Sequence, residues 1–311
     1  MEPDKTRLPK RAIDYEKPNR EERAMQNDKA QLKTVVRGAY DIQKLRIQMG
    51  NRIVANFKAK LGQKPSKPER ELDAEAKRLL ADLRMRFKKL TDGVKTFPRP
   101  LDFEGDEVIS TYTELCLLAQ YVSLEESEAT HFKRLGHILK GFPLYTKFLE
   151  GVKGVGPAMA GVIISEIDIH RARYPSSLWK YAGLDVAKDG QGRSRRAEHL
   201  IDVDYEDKDG KPATRKSITF NPFLKTKLLG VLGGSFLRSK SPYRDHYDDY
   251  KHRLEHHDTY KDVSKGHRHN MAIRYMVKRF LVDLHKAWRA LEGLPVAEEW
   301  HEAKGGHRHV A

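Results

Sequence analysis

Ser194 stands in the run Lys188–Asp189–Gly190–Gln191–Gly192–Arg193–Ser194–Arg195–Arg196, one hydroxyl among three arginines on a glycine-rich stretch. A serine becomes a nucleophile when a base or a positively charged pocket lowers the cost of its alkoxide, and Arg193, Arg195 and Arg196 are suited to the second task. The same arginines suit a phosphate or a strand end, which planar guanidinium groups grip well. Ser235, in Gly233–Gly234–Ser235, is a second hydroxyl on no stronger grounds. Without a function, the arginine run is a solvated surface loop.

A second constellation is Leu149–Glu150–Gly151–Val152–Lys153–Gly154–Val155–Gly156–Pro157, followed by Ala158–Met159–Ala160–Gly161–Val162–Ile163–Ile164. Two glycines around a valine permit a tight turn. Pro157 takes the first position of a helix, where its missing N–H costs nothing. The spacing predicts helix, turn, helix, with free N–H groups and a positive dipole end beside Lys153. Gly154, Val155 and Gly156 would then offer backbone N–H groups to a phosphate oxygen, with Lys153 adding charge. An ordinary packed helix–helix turn would also need both glycines.

Other patterns carry less. His252–Arg253–Leu254–Glu255–His256 spells a zinc-peptidase signature, but that chemistry needs a further ligand from an ordered domain, and 14 histidines make a chance match the better account. Asp202, Asp204, Glu206, Asp207 and Asp209 fail the calcium-loop spacing. They fit a β-hairpin instead, with His199–Tyr205 and Thr214–Phe220 flanking an Asp209–Gly210 turn. His307–Arg308–His309 reads as a frayed end.

The elements that must position these groups are mostly helices. Val35, Ala39, Ile42, Leu45, Met49, Ile53 and Phe57 step by three or four and predict one long amphipathic helix over about 28–61. After Gly62–Pro68 a second pattern runs through Leu72, Ala76, Leu79, Leu83, Phe87 and Leu90. The pair predicts an antiparallel, coiled-coil-like hairpin that holds domains apart or joins a second copy. Thr91–Gly105 is turn-rich. A third helix is expected over about 106–136 and a short one near 145–150. The organisation read from this is a basic arm (1–27), the hairpin and linker (28–105), a helical domain with one inserted β-hairpin (106–293) and a His-rich tail (294–311). The fold class is mainly α.

Composition points the same way. Lysine and arginine number 59 against 44 acidic residues, a net charge of +15, which predicts a polyanionic partner, with nucleic acid the default. One cysteine, Cys116, excludes a disulfide framework and any multi-cysteine metal site, and its apolar neighbours predict a buried thiol. No run is long and apolar enough for a membrane helix, and the start lacks a signal-peptide core, so a soluble cytoplasmic protein is expected.

The glycine turn resembles the helix-hairpin-helix of DNA-binding proteins. In order along the chain, Leu149–Gly156, Ala160–Glu166, Tyr181–Leu184, Ser194–Arg196, Asn221–Leu232, Pro242–Tyr247 and Gly266–Leu291 resemble the C-terminal domain of the IS110-type (Piv-type) insertion-sequence transposases. The resemblance implies a DNA recombinase that pairs this domain with an acidic RNase H-like one and uses a serine here. Two departures stand out. Residues 1–105 show no strand-like run for an acidic metal-binding domain, and the family's serine position falls on Gly190. Three functions therefore stay open: a transposase-type recombinase, a DNA-binding accessory protein that has lost cleavage, and a helix-hairpin-helix glycosylase. DNA backbone phosphate is the expected partner, with a guide or structured RNA and a second copy through the N-terminal helices as further expectations. The cofactor is open, with Mg2+ expected if the chain cuts DNA. Lys278 and Arg279 would extend the basic surface.

Overall fold

The computed structural model describes residues 29–62, 74–94 and 96–296. The expected arm over 1–27, the turn after Gly62 and nearly all of the His-rich tail lie outside these residues.

The described residues are mainly helical, with one two-stranded sheet. Helix α1 (Lys29–Lys60) follows the predicted period, burying Leu32, Val36, Ala39, Ile53 and Phe57, and ends in Lys58 and Lys60, where cations favour the helix dipole. Helix α2 (Ala74–Thr91) buries Ala76, Leu80 and Leu83. Lys58 pairs with Glu75 at 3.3 Å, setting the end of α1 beside the start of α2. The hairpin's seam is shared by α3 (Tyr112–Leu139), whose Leu115, Leu118 and Tyr121 complete the same apolar cluster. Lys60 reaches Glu114 at 2.8 Å, and Glu128 takes Gln43 at 2.8 Å and Arg46 as an ion pair.

Helix α3 begins six residues later than the sequence suggested, and the reason is local. The Asp106 carboxylate accepts from the backbone N–H groups of Val108 and Ile109 at 2.8 and 2.6 Å, closing a turn instead of a helix. Thr111 and Glu114 then form the capping box, with bonds of 3.2 and 3.0 Å. Cys116, expected to be buried, is half-buried on α3.

Beyond α3 the chain makes α4 (Pro143–Lys147), a single 3-10 turn at Leu149–Gly151, α5 (Pro157–Glu166) and α6 (Pro175–Tyr181). Strands β1 (Ile201–Glu206) and β2 (Pro212–Ser217) follow, antiparallel, with Ile201 opposite Ser217 and Glu206 opposite Pro212. Asp207 accepts from Asp209 and Lys211 N–H groups at 2.9 Å each, so the acidic run builds the hairpin turn. Helix α7 (Pro222–Thr226) leads through a π-helical segment at Lys227–Gly233 into α8 (Gly234–Ser239), then α9 (Tyr243–His256) and α10 (Lys265–Leu291). In α9, His256 Nδ1 bonds to the carbonyl of His252 at 2.9 Å, which ties that ring to its own helix.

A larger core gathers Leu135 and Leu139 of α3, Ile163 of α5, Phe236 of α8 and Phe280 and Leu284 of α10. It also takes in Leu32 and Val36 of α1. Thus α1 and α3 run through both apolar clusters and join the N-terminal helices to the rest. No described helix is long and apolar enough to cross a membrane.

Candidate functional site

The glycine turn forms between the 3-10 turn and α5. Gly154 has φ +101, a conformation that favours glycine, and a Cβ there would lie 2.8 Å from Phe236 Cδ1 and 2.9 Å from Ser239 Oγ. Its carbonyl accepts from Ser235 Oγ at 2.8 Å. Gly154 is therefore where the turn presses on α8, and Ser235, the second candidate hydroxyl, fastens that contact. Val155 is buried, and its N–H donates to Val152 O at 2.9 Å, so this N–H is not among the donors facing outward. Gly156 is the N-cap of α5, exposed and without a side-chain cap bond, with Pro157 next. Lys153 is exposed beside it. Of the four residues expected to meet phosphate here, Lys153 and Gly156 face solvent, whereas Gly154 and Val155 serve the turn's own packing.

The second part is the loop between α6 and β1. Asp189 accepts from Gln191 N–H at 2.9 Å, and Gly190, with φ +75, reverses the chain beside it. The 3-10 turn Ala197–His199 then carries His199 back under the loop, its side chain only 2 % exposed. His199 Nδ1 accepts from the Ser194 backbone N–H at 2.9 Å, which assigns the ring proton to Nε2. Nε2 donates to Asp189 Oδ2 at 3.0 Å. Ser194 Oγ lies 3.0 Å from Nδ1 and accepts from Arg196 N–H at 3.3 Å and Nε at 3.1 Å. The Ser194 hydroxyl and its backbone N–H thus share the one acceptor lone pair of Nδ1. The result is a carboxylate, an imidazole and a hydroxyl in line, with a guanidinium on the hydroxyl oxygen. The backbone N–H of Gln191, then His199 and Arg196, hold Asp189 below the usual carboxylate range, so it stays charged and fixes the ring's tautomer.

Chemically this is the arrangement that activates a serine: a base within reach, oriented by a third group. Sequence reasoning named Ser194 but missed His199 and Asp189. The signal was the equal spacing Asp189, Ser194, His199, which no regular secondary structure makes meaningful. Arg193 turns away from Ser194 and grips Asp185 at 2.7 and 3.1 Å. Arg195 is exposed, and Arg196 reaches both Ser194 and, at 3.6 Å, Asp189. Gly190 lies exposed at the loop's tip, its N–H on Ala187 O at 3.1 Å. The carboxylates nearest Ser194 do not fit a magnesium site, because Asp185 is committed to Arg193 and Asp189 to His199. Among the described residues no group of three or more His, Cys, Asp or Glu is placed to share a metal ion.

Glu166, at the end of α5, has a fully buried side chain. Its Oε1 takes two bonds from Arg37, at 2.6 and 3.0 Å, and its Oε2 takes Asn221 Nδ2 at 2.6 Å and Lys33 at 3.4 Å. One carboxylate thus ties α1, α5 and the start of α7. It also forms one wall of a cavity of about 310 Å3 lined by Asp168, Arg171, Ser177 and Tyr181.

Residues 146–217 match the model of the transposase IS116/IS110/IS902 family. The matched stretch starts in α4 and takes in the glycine turn, α5, α6, the Ser194 loop and both strands. The resemblance read from the residues holds over this stretch. No curated protein and no solved structure matches the chain.

Proposed function

We propose that this chain, with its transposase-family segment, acts on DNA strands in transposition through Ser194. The observation that carries the reading is the line Asp189–His199–Ser194, with bonds of 3.0 and 3.0 Å. Ser194 Oγ attacks phosphorus, forming an Oγ–P bond as the bond from phosphorus to the departing sugar oxygen breaks. His199 Nδ1 gives up its bond from the Ser194 backbone N–H, accepts the hydroxyl proton and returns it to that oxygen, while Asp189 stabilises the imidazolium. Arg196 offsets the charge that develops on Oγ. Lys153 and the open N-terminus of α5 at Gly156 hold a backbone phosphate without reading sequence.

The test is incubation of the purified chain with supercoiled plasmid, with and without magnesium, beside a gel-shift salt titration. Nicking with a denaturant-resistant protein–DNA adduct is expected. Ser194→Ala should abolish both, and His199→Asn should lower the rate by roughly 10²–10⁴. A second reading has its own observation: the Ser194 backbone N–H already occupies His199 Nδ1 at 2.9 Å, a bond by which the ring can simply close the loop. Salt-sensitive DNA binding with no nicking, unchanged in Ser194→Ala, would establish that reading and retire the nucleophile.

A further inference from the structure

Behind the Ser194 loop, cations from helices far apart in the chain converge. Lys225 of α7 donates from Nζ to the carbonyl of Arg193 and lies 4.7 Å from the Phe220 ring centre. Arg274 of α10 donates to the Asp185 carbonyl at 3.4 Å, and its guanidinium passes so close to Gly192 that a Cβ there would meet it at 2.2 Å. Lys278, one turn further along α10, lies over the Trp179 ring at 5.1 Å. Among the described residues, Asp185 is the carboxylate these three face, and it is already doubly bound by Arg193. Burial, and then repulsion from Arg274, brings the Lys225 amine down to about 8 and lowers Lys278 as well; burial lowers Arg274. Half-buried cations gathered around one committed carboxylate are costly unless an anion joins them.

We propose that Arg193, Lys225, Arg274 and Lys278 form a receptor for a phosphate group of a nucleic-acid strand, next to Ser194. It rests on the nucleic-acid reading above but not on cleavage: the receptor positions a strand whether or not Ser194 cuts it. A phosphate here is neutralised by the inner cations while the arginine-rich loop outside keeps the neighbouring stretch of strand at Ser194. Its arrival also draws a proton onto Lys225 near pH 8, because an adjacent anion favours the charged amine.

The test is competitive acetylation of the full chain at pH 8, read lysine by lysine by mass spectrometry, with exposed Lys44 as internal standard. The probes are inorganic phosphate, a 5′-phosphorylated single-stranded oligonucleotide and its 5′-hydroxyl counterpart, the strands at concentrations that saturate a gel shift. The phosphorylated strand should slow Lys225 acetylation at least fivefold relative to Lys44. Protection by that strand alone identifies a terminal phosphate, and protection by both strands an internal one. No protection of Lys225 at saturation, or protection by inorganic phosphate with neither strand effective, overturns the proposal. Ser194→Ala should leave the protection intact, so loss of the cleavage reading is seen separately, and absence of any gel shift marks failure of the nucleic-acid reading itself. Gly192→Ala pushes the flexible end of Arg274 out of the pocket without touching the core. It should weaken the protection and raise the pH at which Lys225 becomes reactive; if it changes neither, the cluster is not a receptor.

Discussion

Gly154 and Gly156 look alike in the sequence, but the structure assigns them different work, and replacing each with alanine separates packing from phosphate contact. At Gly154 a β-carbon meets two penalties. The backbone at φ +101 is one that L residues rarely adopt, at a cost of roughly 1–2 kcal/mol. The new methyl would also lie 2.8 Å from Phe236 Cδ1. That ring cannot step aside, being fully buried with Tyr243 and Phe280 at centroid distances of 5.1 and 5.4 Å. Overpacking of this kind costs about 1–3 kcal/mol, and the stiffer unfolded chain gives back about 0.4–1 kcal/mol. Gly154→Ala should therefore destabilise the protein by roughly 2–4 kcal/mol, a fall in Tm on the order of 3–6 °C. At Gly156 the backbone is extended, with φ −91 and ψ 172, and nothing lies within 4 Å of an added Cβ. Gly156→Ala should cost less than ~1 kcal/mol, the difference between a glycine and an alanine cap, while weakening DNA binding. Thermal unfolding by circular dichroism and a gel shift on both variants decide the matter. Equal Tm values for the two variants, or a Gly154→Ala protein of wild-type stability that no longer binds DNA, would refute this division of labour.

Three further outcomes are expected. Lys153→Ala should leave Tm unchanged and reduce the slope of log binding constant against log salt by ~0.9 on duplex DNA, the effect of one lost phosphate contact; an unchanged slope removes Lys153 from the interface. Glu166→Gln should cost about 1–3 kcal/mol, less than the ~3–5 kcal/mol for breaking a fully buried pair, because its partner cations can rehydrate; a Tm within error of wild type would show that Glu166 is dispensable. Burial alone would raise the Glu166 carboxyl, but the bonds from Arg37 and Asn221 hold it below its usual 4.5. That stabilisation is complete above pH 4.5 and drains away as pH falls through the folded-state value, so the Tm gap between wild type and Glu166→Gln should close on acidification and stay constant on moving toward neutral pH.

Where a local rule decides structure, the sequence was readable. The three-to-four stepping in α1 gave a helix within a residue or so of its observed ends. The Asp209–Gly210 pair gave the hairpin, and the Gly154–Pro157 run gave the turn and the start of α5. Local rules misled at Asp106, where an acidic residue ahead of an apolar stretch looks like a helix start but closes its own turn. The site was half legible. Ser194 and its arginines were visible as residue types, but His199 reaches Ser194 only because a 3-10 turn folds it beneath the loop. Nothing periodic marks that. The equivalence expected among Arg193, Arg195 and Arg196 also dissolves in three dimensions, because Asp185 claims the first and Ser194 the last.

The inner cations were the least legible feature, since α7 and α10 meet the loop only through tertiary packing in the larger core. Yet their placement explains how an irregular, glycine-bearing loop can hold a serine in register at all. Lys225 and Arg274 both bond backbone carbonyls of the loop, at Arg193 and at Asp185, immediately before Ser194 and at the loop's entry. Catalytic geometry is most sharply defined when rigid elements fix the residues that carry it. Here the fixing groups are charged, and they repel one another. The loop is thus pinned by side chains that share one carboxylate, Asp185, already held by Arg193. The proposed receptor would couple two properties that are usually separate: the order of the Ser194 loop and the presence of phosphate beside it. If the proposed receptor holds, a strand entering the site should relieve the repulsion that Arg274 exerts on Lys225 and Lys278, and the Ser194 loop that Lys225 and Arg274 pin should be best ordered when there is a strand for it to meet.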